Sequence, residues 1–234
     1  MKSQFPNNKD ILVVGSKKGL KIPTSKIYKA YLANGAISLV NKLKKTKGFE
    51  VNCITGAAIY LRHKEIRKKI LKSKPNRFVI RGQISKKDLK NDFNHKFRYR
   101  KFETTKKINN FQSKFFVKNS FSILIAEYFY ENNIFKKIVH FTKILLRFKK
   151  NIGVSTGFFT LLLALDENKE SNIIISGISM KEGKHFFKKK RSFINRARVD
   201  AYLFNKLKQN FKERIATTDK LQALELDIKY FREK

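Results

Sequence analysis

A short turn of small hydroxyl residues at positions 155–157 is the part of this sequence best suited to chemistry. Its residues are Ser155, Thr156 and Gly157. The turn precedes an apolar helical run, Phe158 to Leu165, and a β-branched strand, Ile173 to Ile175, that ends in Ser176-Gly177. The first N–H groups of a helix have no intrahelical acceptor and carry partial positive charge, so this turn is suited to an anion. The pattern predicts either a phosphate site or a plain capped helix packed on a buried strand.

The same stretch resembles the small-residue motif of sialyltransferases, in which a Ser-Thr-Gly turn leads into an Ala-Leu helix and a strand ending in Gly. The residues that carry this resemblance are Ser155, Thr156, Gly157, Ala164, Leu165, Ser176, Gly177 and Ile178. A similar helix–strand pair occurs in bacterial nucleotide-sugar-handling or pterin-kinase-like Rossmann proteins. The resemblance implies a glycosyltransferase that moves sialic acid or a related nonulosonate from a CMP-activated donor to a cell-surface glycan precursor. It also implies an inverting reaction without a metal or another cofactor.

Strand and helix patterns alternate along the chain and predict an α/β fold. Four β-branched or apolar runs precede the central stretch: Ile11 to Val14, Ile27 to Leu32, Val51 to Thr55 and Arg77 to Arg81. Helical patterns separate them, an order typical of a parallel sheet with right-handed crossovers. We therefore expect a single domain over residues 1–234, with a Rossmann-like, mostly parallel sheet flanked by helices.

Two turns follow the first two predicted strands, where parallel α/β sheets bind their ligands. Gly15 and Ser16 open a loop that ends at Leu20, and Asn34 forms an Asn-Gly pair that tolerates left-handed backbone. Either turn, taken by itself, is equally an ordinary connection. The resemblance implies that seven residues bind the donor: Gly15, Ser16, Asn34, Ser155, Thr156, Gly157 and Gly177. Ser16 stands where the family has an Asn.

The general base is the least clear part of the resemblance. Bacterial sialyltransferases place a His four or five residues before an Asp that starts a Leu-containing helix, and Asp200 with Leu203 resembles that landmark. Here Arg196 and Asn195 occupy the counted positions, and neither is a base near neutral pH. The base is thus lost, has moved to His185, or serves a different reaction. If it is lost, the alternative is a catalytically inactive transferase-fold protein at the membrane surface. We take His185 and Arg196 as the catalytic candidates, with nearby Lys and Arg side chains stabilising the leaving phosphate.

The formal net charge is +36, from 54 Lys and Arg against 18 Asp and Glu. Such an excess is compatible with nucleic acid, an anionic membrane surface or a phosphate-bearing substrate. An A+T-rich coding sequence accounts equally well for the abundance of Lys, Asn, Ile and Phe. The charge alone therefore does not select a partner.

Two segments interrupt the alternation. Residues 85–118 mix basic and aromatic residues, and we expect a lid or an acceptor-side insertion, or else a surface on which nucleic-acid bases stack. Residues 120–150 read as two helices divided near Asn132-Asn133, and the second carries many cations. We expect its apolar stripe to pack in the core, and the alternative is an amphipathic helix on anionic lipid.

Other features narrow the protein class. A single cysteine, Cys53, excludes an internal disulfide and fits a small core residue in a strand. The sequence has no Asp-x-Asp pair and no uncharged apolar run long enough to cross a bilayer. We accordingly predict a cytoplasmic protein, with peripheral attachment to the inner face of the membrane if the basic helix binds lipid.

Overall fold

The protein is built on one eight-stranded sheet in which every described pairing is parallel. The structure is a computed structural model that describes residues 10–17, 20–23, 27–45, 50–73, 75–82, 84–85, 87, 92, 98–102, 105–117, 128, 131–146, 154–178, 180 and 194–232. The strands are β1 Asp10–Val14, β2 Ile27–Ala33, β3 Glu50–Gly56, β4 Arg77–Arg81, β5 Arg98–Phe102, β6 Ile173–Ser176, β7 Ile215–Thr217 and β8 Lys229–Tyr230.

Helices connect these strands. They are α1 Val40–Lys45, α2 Ala57–Arg62, α3 Lys64–Ser73, α4 Thr105–Ser113, α5 Ile134–Leu145, α6 Thr156–Glu167, α7 Ile194–Asn205, α8 Gln209–Lys212 and α9 Lys220–Leu226, with a 3-10 turn at Asn34–Leu39 before α1. The expected α/β class with a Rossmann-like parallel sheet is confirmed.

The strand order across the sheet is β5-β4-β3-β2-β1-β6-β7-β8. From β1 to β5, each strand is added on the same side of the one before it. Strand β6 then lies on the other side of β1, and β7 and β8 follow it outward. The order of the strands therefore reverses between β1 and β6. In open α/β sheets, ligands bind outside the carboxyl ends of the strands at such a reversal.

The continuous apolar runs arise because both faces of the sheet are covered. Along β1, Ile11 and Val13 belong to one buried cluster, while Leu12 and Val14 belong to the other. Successive side chains of a strand point to opposite faces, so a strand with two covered faces has no polar alternation. Cys53 is buried in β3, as predicted.

Helix α6 covers the first of these faces and is anchored at its carboxyl end. The Tyr31 hydroxyl of β2 donates to Glu167 Oε2 at 2.7 Å and accepts from Asn168 Nδ2 at 3.0 Å. Arg77 of β4 pairs with the same Glu167 carboxylate. Burial and the Glu167 carboxylate raise the pKa of Tyr31, so its hydroxyl stays protonated and donates.

The described part of segment 85–118, where we expected a lid or an insertion, contributes to the sheet and the core. Residues 98–102 form β5, which pairs with β4. In and after α4, the rings of Phe111, Phe115 and Phe116 are buried in the same cluster as α6. The spacing of Ile108 and Phe111 places them on one side of α4, and the Phe115 ring, in the turn after the helix, packs 5.3 Å from the Phe111 ring centroid.

Two expectations about helices are wrong. The helix expected to start at Asp200 runs instead from Ile194 to Asn205, so Asp200 lies inside it rather than at its start. The apolar stripe of the basic helix was expected in the core, but the described large apolar side chains of α5 are exposed. Asp200 lies inside its helix because its carboxyl group accepts a long-range hydrogen bond from the Ser155 N–H. Helix α5 stays at the surface because it carries Lys136 and Lys137, whose charges need water.

Candidate functional site

The residues predicted to bind a donor converge on the carboxyl edge of the sheet. Gly15 follows β1, Asn34 follows β2 and Gly177 follows β6. The turn at 155–157 starts helix α6, which packs across β1, β2 and β3. Strand ends and a helix N-terminus thus share one edge, next to the reversal of strand order.

Ser155 is the N-cap of α6. Its Oγ accepts a hydrogen bond from the Phe158 N–H at 3.1 Å, which satisfies one donor of the first turn. Its own N–H donates to Asp200 Oδ1 at 2.9 Å. Asp200 is only 1% exposed, so α7 places a buried carboxyl group directly beside the start of α6. Sequence reasoning had assigned Asp200 only to the start of a helix.

Thr156 is the residue whose position fits a ligand contact best. Its side chain is 7% exposed, and its Oγ1 lies 3.7 Å from the point where a Cβ on Gly56 would be. Among the described residues, no hydrogen-bond partner of the Thr156 hydroxyl is found. The hydroxyl therefore faces the end of β3 with its hydrogen-bonding capacity available.

The backbone of the same turn offers two further donors. The first intrahelical bond of α6 joins the Phe159 N–H to the Ser155 carbonyl at 2.8 Å. The N–H groups of Thr156 and Gly157 precede it and have no acceptor within the helix. A Cβ on Gly157 would lie 3.5 Å from Ile178 Cγ2, an ordinary contact. Packing does not require glycine there, so its small size is available for the approach of a ligand.

Arg81, at the end of β4, adds positive charge to this turn and was missed in the sequence. Its Nη1 donates to the Val154 carbonyl and lies 3.5 Å from the Ser155 carbonyl oxygen. The guanidinium also lies over the Phe159 ring, 5.2 Å from the ring centroid. Arg81 therefore holds the backbone just before α6 through its carbonyl oxygens, while Asp200 holds it through the Ser155 N–H. The available signal was a basic residue at the carboxyl end of a predicted strand.

Asn34 adopts left-handed backbone geometry, with φ 46°, as its Asn-Gly pair predicted. Its Oδ1 accepts a hydrogen bond from Thr55 Oγ1 at 3.1 Å. That contact uses the carbonyl oxygen of the amide, so the group that Asn34 can offer a ligand is its NH2. Thr55, at the end of β3, is a second residue that sequence reasoning missed.

Gly15 and Gly177 are required by the packing of two strand ends. The Gly15 N–H donates to the Ser176 carbonyl at 2.7 Å, and a Cβ on Gly15 would lie 2.1 Å from the Gly177 oxygen. Gly177 has φ +67°, and Leu20 packs against it. Ser16 is buried beside them. These contacts continue the β1–β6 pairing beyond the strands, and a donor-binding role for the three residues stays a prediction.

An ion pair lies beyond the carboxyl ends of β1 and β7. Lys17 Nζ lies 2.7 Å from Asp219 Oδ2, and Asp219 Oδ1 caps α9 by accepting from the Gln222 N–H at 3.3 Å. Burial disfavours the Asp219 anion, but the bonds from Lys17 and from backbone N–H groups outweigh it and lower the pKa of the carboxyl. The Asp219 carboxyl group is therefore ionised at neutral pH.

The structure does not place the side chains of the two catalytic candidates, His185 and Arg196. His185 lies outside the described residues. Arg196 is in the first turn of α7, one helical turn before Asp200, but its side chain is not among those described. In the part of the chain that is described, no group of three or more His, Cys, Asp or Glu side chains could hold a metal ion.

No known family model, curated protein or solved structure matches this chain. The observations that bear on function are therefore the residues of the site and the motif at 155–178. Across the described ranges, no helix has both the length and the apolar character needed to cross a bilayer.

Proposed function

We propose that the protein is a glycosyltransferase of the sialyltransferase type, which binds a CMP-activated sialic acid or related nonulosonate at the carboxyl edge of the sheet. One observation carries the proposal: Thr156, at the start of α6, is buried beside Gly56 with its hydroxyl unengaged among the described residues. Together with the Thr156 and Gly157 N–H groups it makes a cluster of donors at a helix N-terminus, which suits a phosphate.

In this proposal the donor's phosphate binds at the turn and its nucleoside extends toward Asn34. The Asn34 NH2 group is suited to a base or ribose oxygen, because its Oδ1 already accepts from Thr55. The Arg81 guanidinium adds positive charge near the phosphate, and Arg196, in the first turn of α7, is the second proposed source of charge. Positive charge placed there stabilises the departing CMP and is the chain's own contribution to transfer.

The reaction is a direct displacement at the anomeric carbon. An acceptor hydroxyl oxygen forms the new bond to that carbon, and the bond from the carbon to the CMP phosphate oxygen breaks with its electron pair. The acceptor proton passes to a base, for which His185 is the proposed residue. The Asp200 carboxyl group is not proposed as this base, because it is buried and already accepts a hydrogen bond from the Ser155 N–H.

The proposed acceptor is a cell-surface glycan precursor at the inner face of the membrane. The test is incubation of the full chain with CMP-sialic acid and a panel of glycan acceptors, with free CMP measured. We expect CMP release that rises with acceptor and is strongly reduced by His185→Ala. Absence of hydrolysis, transfer and CMP binding in the wild-type chain would refute the proposal.

Nucleic-acid binding is the other function that the charge allows, and RNA added to the same experiment tests it. RNA should inhibit neither CMP binding nor transfer if the carboxyl edge is a sugar-nucleotide site. Salt-sensitive retention on RNA that CMP does not compete away, without CMP release, would favour the nucleic-acid alternative.

A further inference from the structure

Helix α5 presents a large apolar side to solvent. Six described side chains of α5, together with that of Leu146 directly after it, are between 48% and 76% exposed. The six are Ile134, Phe135, Ile138, Val139, Phe141 and Leu145. At about 100° per residue they cover an arc of roughly 160° of the helix. Thr142 is the one polar residue within this arc, and its hydroxyl donates to the Ile138 carbonyl at 2.9 Å. A cluster of exposed large apolar side chains on one helix side is typical of a contact site.

Lysines flank this arc. Lys136 and Lys137 lie about 140° and about 120° from its centre, on opposite sides of it, and Lys136 is exposed. From Asn132 to Lys150 the sequence contains six Lys and Arg residues and no acidic residue. Lys137 Nζ lies over the Tyr128 ring, 5.2 Å from its centroid. The helix therefore combines an exposed apolar side with a flank of one sign of charge.

This charge decides among the occupants of the apolar side. A second copy of the chain would bring two cationic flanks together, which like-charge repulsion opposes. Nucleic acid would match the charge, and Phe135 and Phe141 could stack on bases, but the other five of the seven exposed side chains are aliphatic and offer a base no stacking surface. Anionic lipid matches both properties, because its headgroups attract the cations and its acyl boundary accepts aliphatic and aromatic side chains.

We propose that α5 is an interfacial helix that docks the protein on an anionic membrane, with the side from Ile134 to Leu146 in the acyl boundary and the lysines at the headgroups. Asn133 fixes the start of the helix, since its Oδ1 accepts from the Lys136 N–H at 3.1 Å. The inference is independent of the carboxyl edge and goes beyond the proposed transfer reaction.

The test is flotation of the full chain with vesicles of phosphatidylcholine alone and of phosphatidylcholine mixed with phosphatidylserine. We expect binding only to the mixed vesicles and weaker binding at high salt. The double variant Phe135→Glu, Ile138→Glu should lower the vesicle-bound fraction at least about tenfold, because it places charge in the acyl boundary. Lys136→Gln with Lys137→Gln should weaken binding less.

The matched control is Leu221→Glu with Leu224→Glu on α9, which changes two leucines that are 71% and 73% exposed. It should bind vesicles as the wild type does. Unchanged binding by the Phe135 and Ile138 variant, or no binding by the wild type, would overturn the proposal. It would also be overturned if light scattering showed an oligomer that this variant dissociates, because the apolar side would then be an interface between copies.

Discussion

Helices α5 and α6 each have twelve residues, and they stand in opposite environments. In α6 every residue from Phe158 to Leu165 is buried, and the first charged residue of the helix is Asp166. In α5 the described large apolar residues are exposed, and Lys136 and Lys137 occur within its first turn. Apolar content alone therefore does not determine which helix enters the core.

The difference lies in where the charges fall. A helix that is apolar all round must be covered on all sides, and α6 lies between the sheet and the helices α4 and α7. A helix with lysines on one side keeps that side in water, since an unpaired buried ammonium group is very costly. Helix α5 can bury only its apolar side, and within the described residues that side remains exposed.

The largest effect that tests this contrast is the loss of a phenyl ring from each helix. Phe158→Ala in α6 should lower the free energy of unfolding by about 3–5 kcal/mol, because Phe158 is fully buried and a cavity remains. Phe135→Ala in α5 should change it by less than about 0.5 kcal/mol. Urea unfolding followed by circular dichroism measures both, and equal losses would mean that α5 is part of the cooperative core.

The two N-caps give a smaller contrast. Ser155→Ala removes the acceptor of the Phe158 N–H and should cost about 1 kcal/mol of global stability. Asn133→Ala removes the acceptor of the Lys136 N–H and should loosen α5 without a change in global stability. Hydrogen exchange of the two first turns separates these outcomes. Loss of exchange protection throughout the core in Asn133→Ala would contradict the account.

The smallest effect concerns a charged cap. Asp219 caps α9, and its pKa is lowered in the folded protein, so its stabilisation is complete above the unfolded value of about 3.9 and is lost as the pH falls through the folded pKa. The neutral cap Asn133 has no such dependence. Asp219→Asn should therefore reduce the stability difference between about pH 7 and about pH 3, measured by urea unfolding. The same pH dependence in wild type and variant would show that other carboxyl groups dominate.

Local pattern predicted much of the fold. The β-branched runs at 11–14 and 173–175 became β1 and β6, and the hydroxyl turn at 155–157 became the capped start of α6. These features depend on neighbours in the sequence, such as the cap bond between Ser155 and Phe158. Periodicity and capping rules describe such short-range interactions directly.

Long-range contacts were not predictable in the same way. Asp200 bonds to Ser155 across 45 residues, and Arg81 reaches Val154 across 73. No local pattern encodes either contact, so Asp200 was expected as a helix start and Arg81 was not proposed for the site. The burial of Phe111 and Phe115 was missed because frequent cations obscured their helical spacing.

The central claim is that the start of α6 binds the phosphate of a cytidine nucleotide through Thr156. Titration of CMP into wild type, Thr156→Val and Thr160→Val by calorimetry tests it directly. The control Thr160 lies one turn further along the same helix, and its hydroxyl donates to the Thr156 carbonyl at 2.7 Å. The account predicts that Thr156→Val weakens CMP binding roughly tenfold or more while Thr160→Val leaves it unchanged. Equal binding by wild type and Thr156→Val, or no binding by the wild type at millimolar CMP, would contradict it.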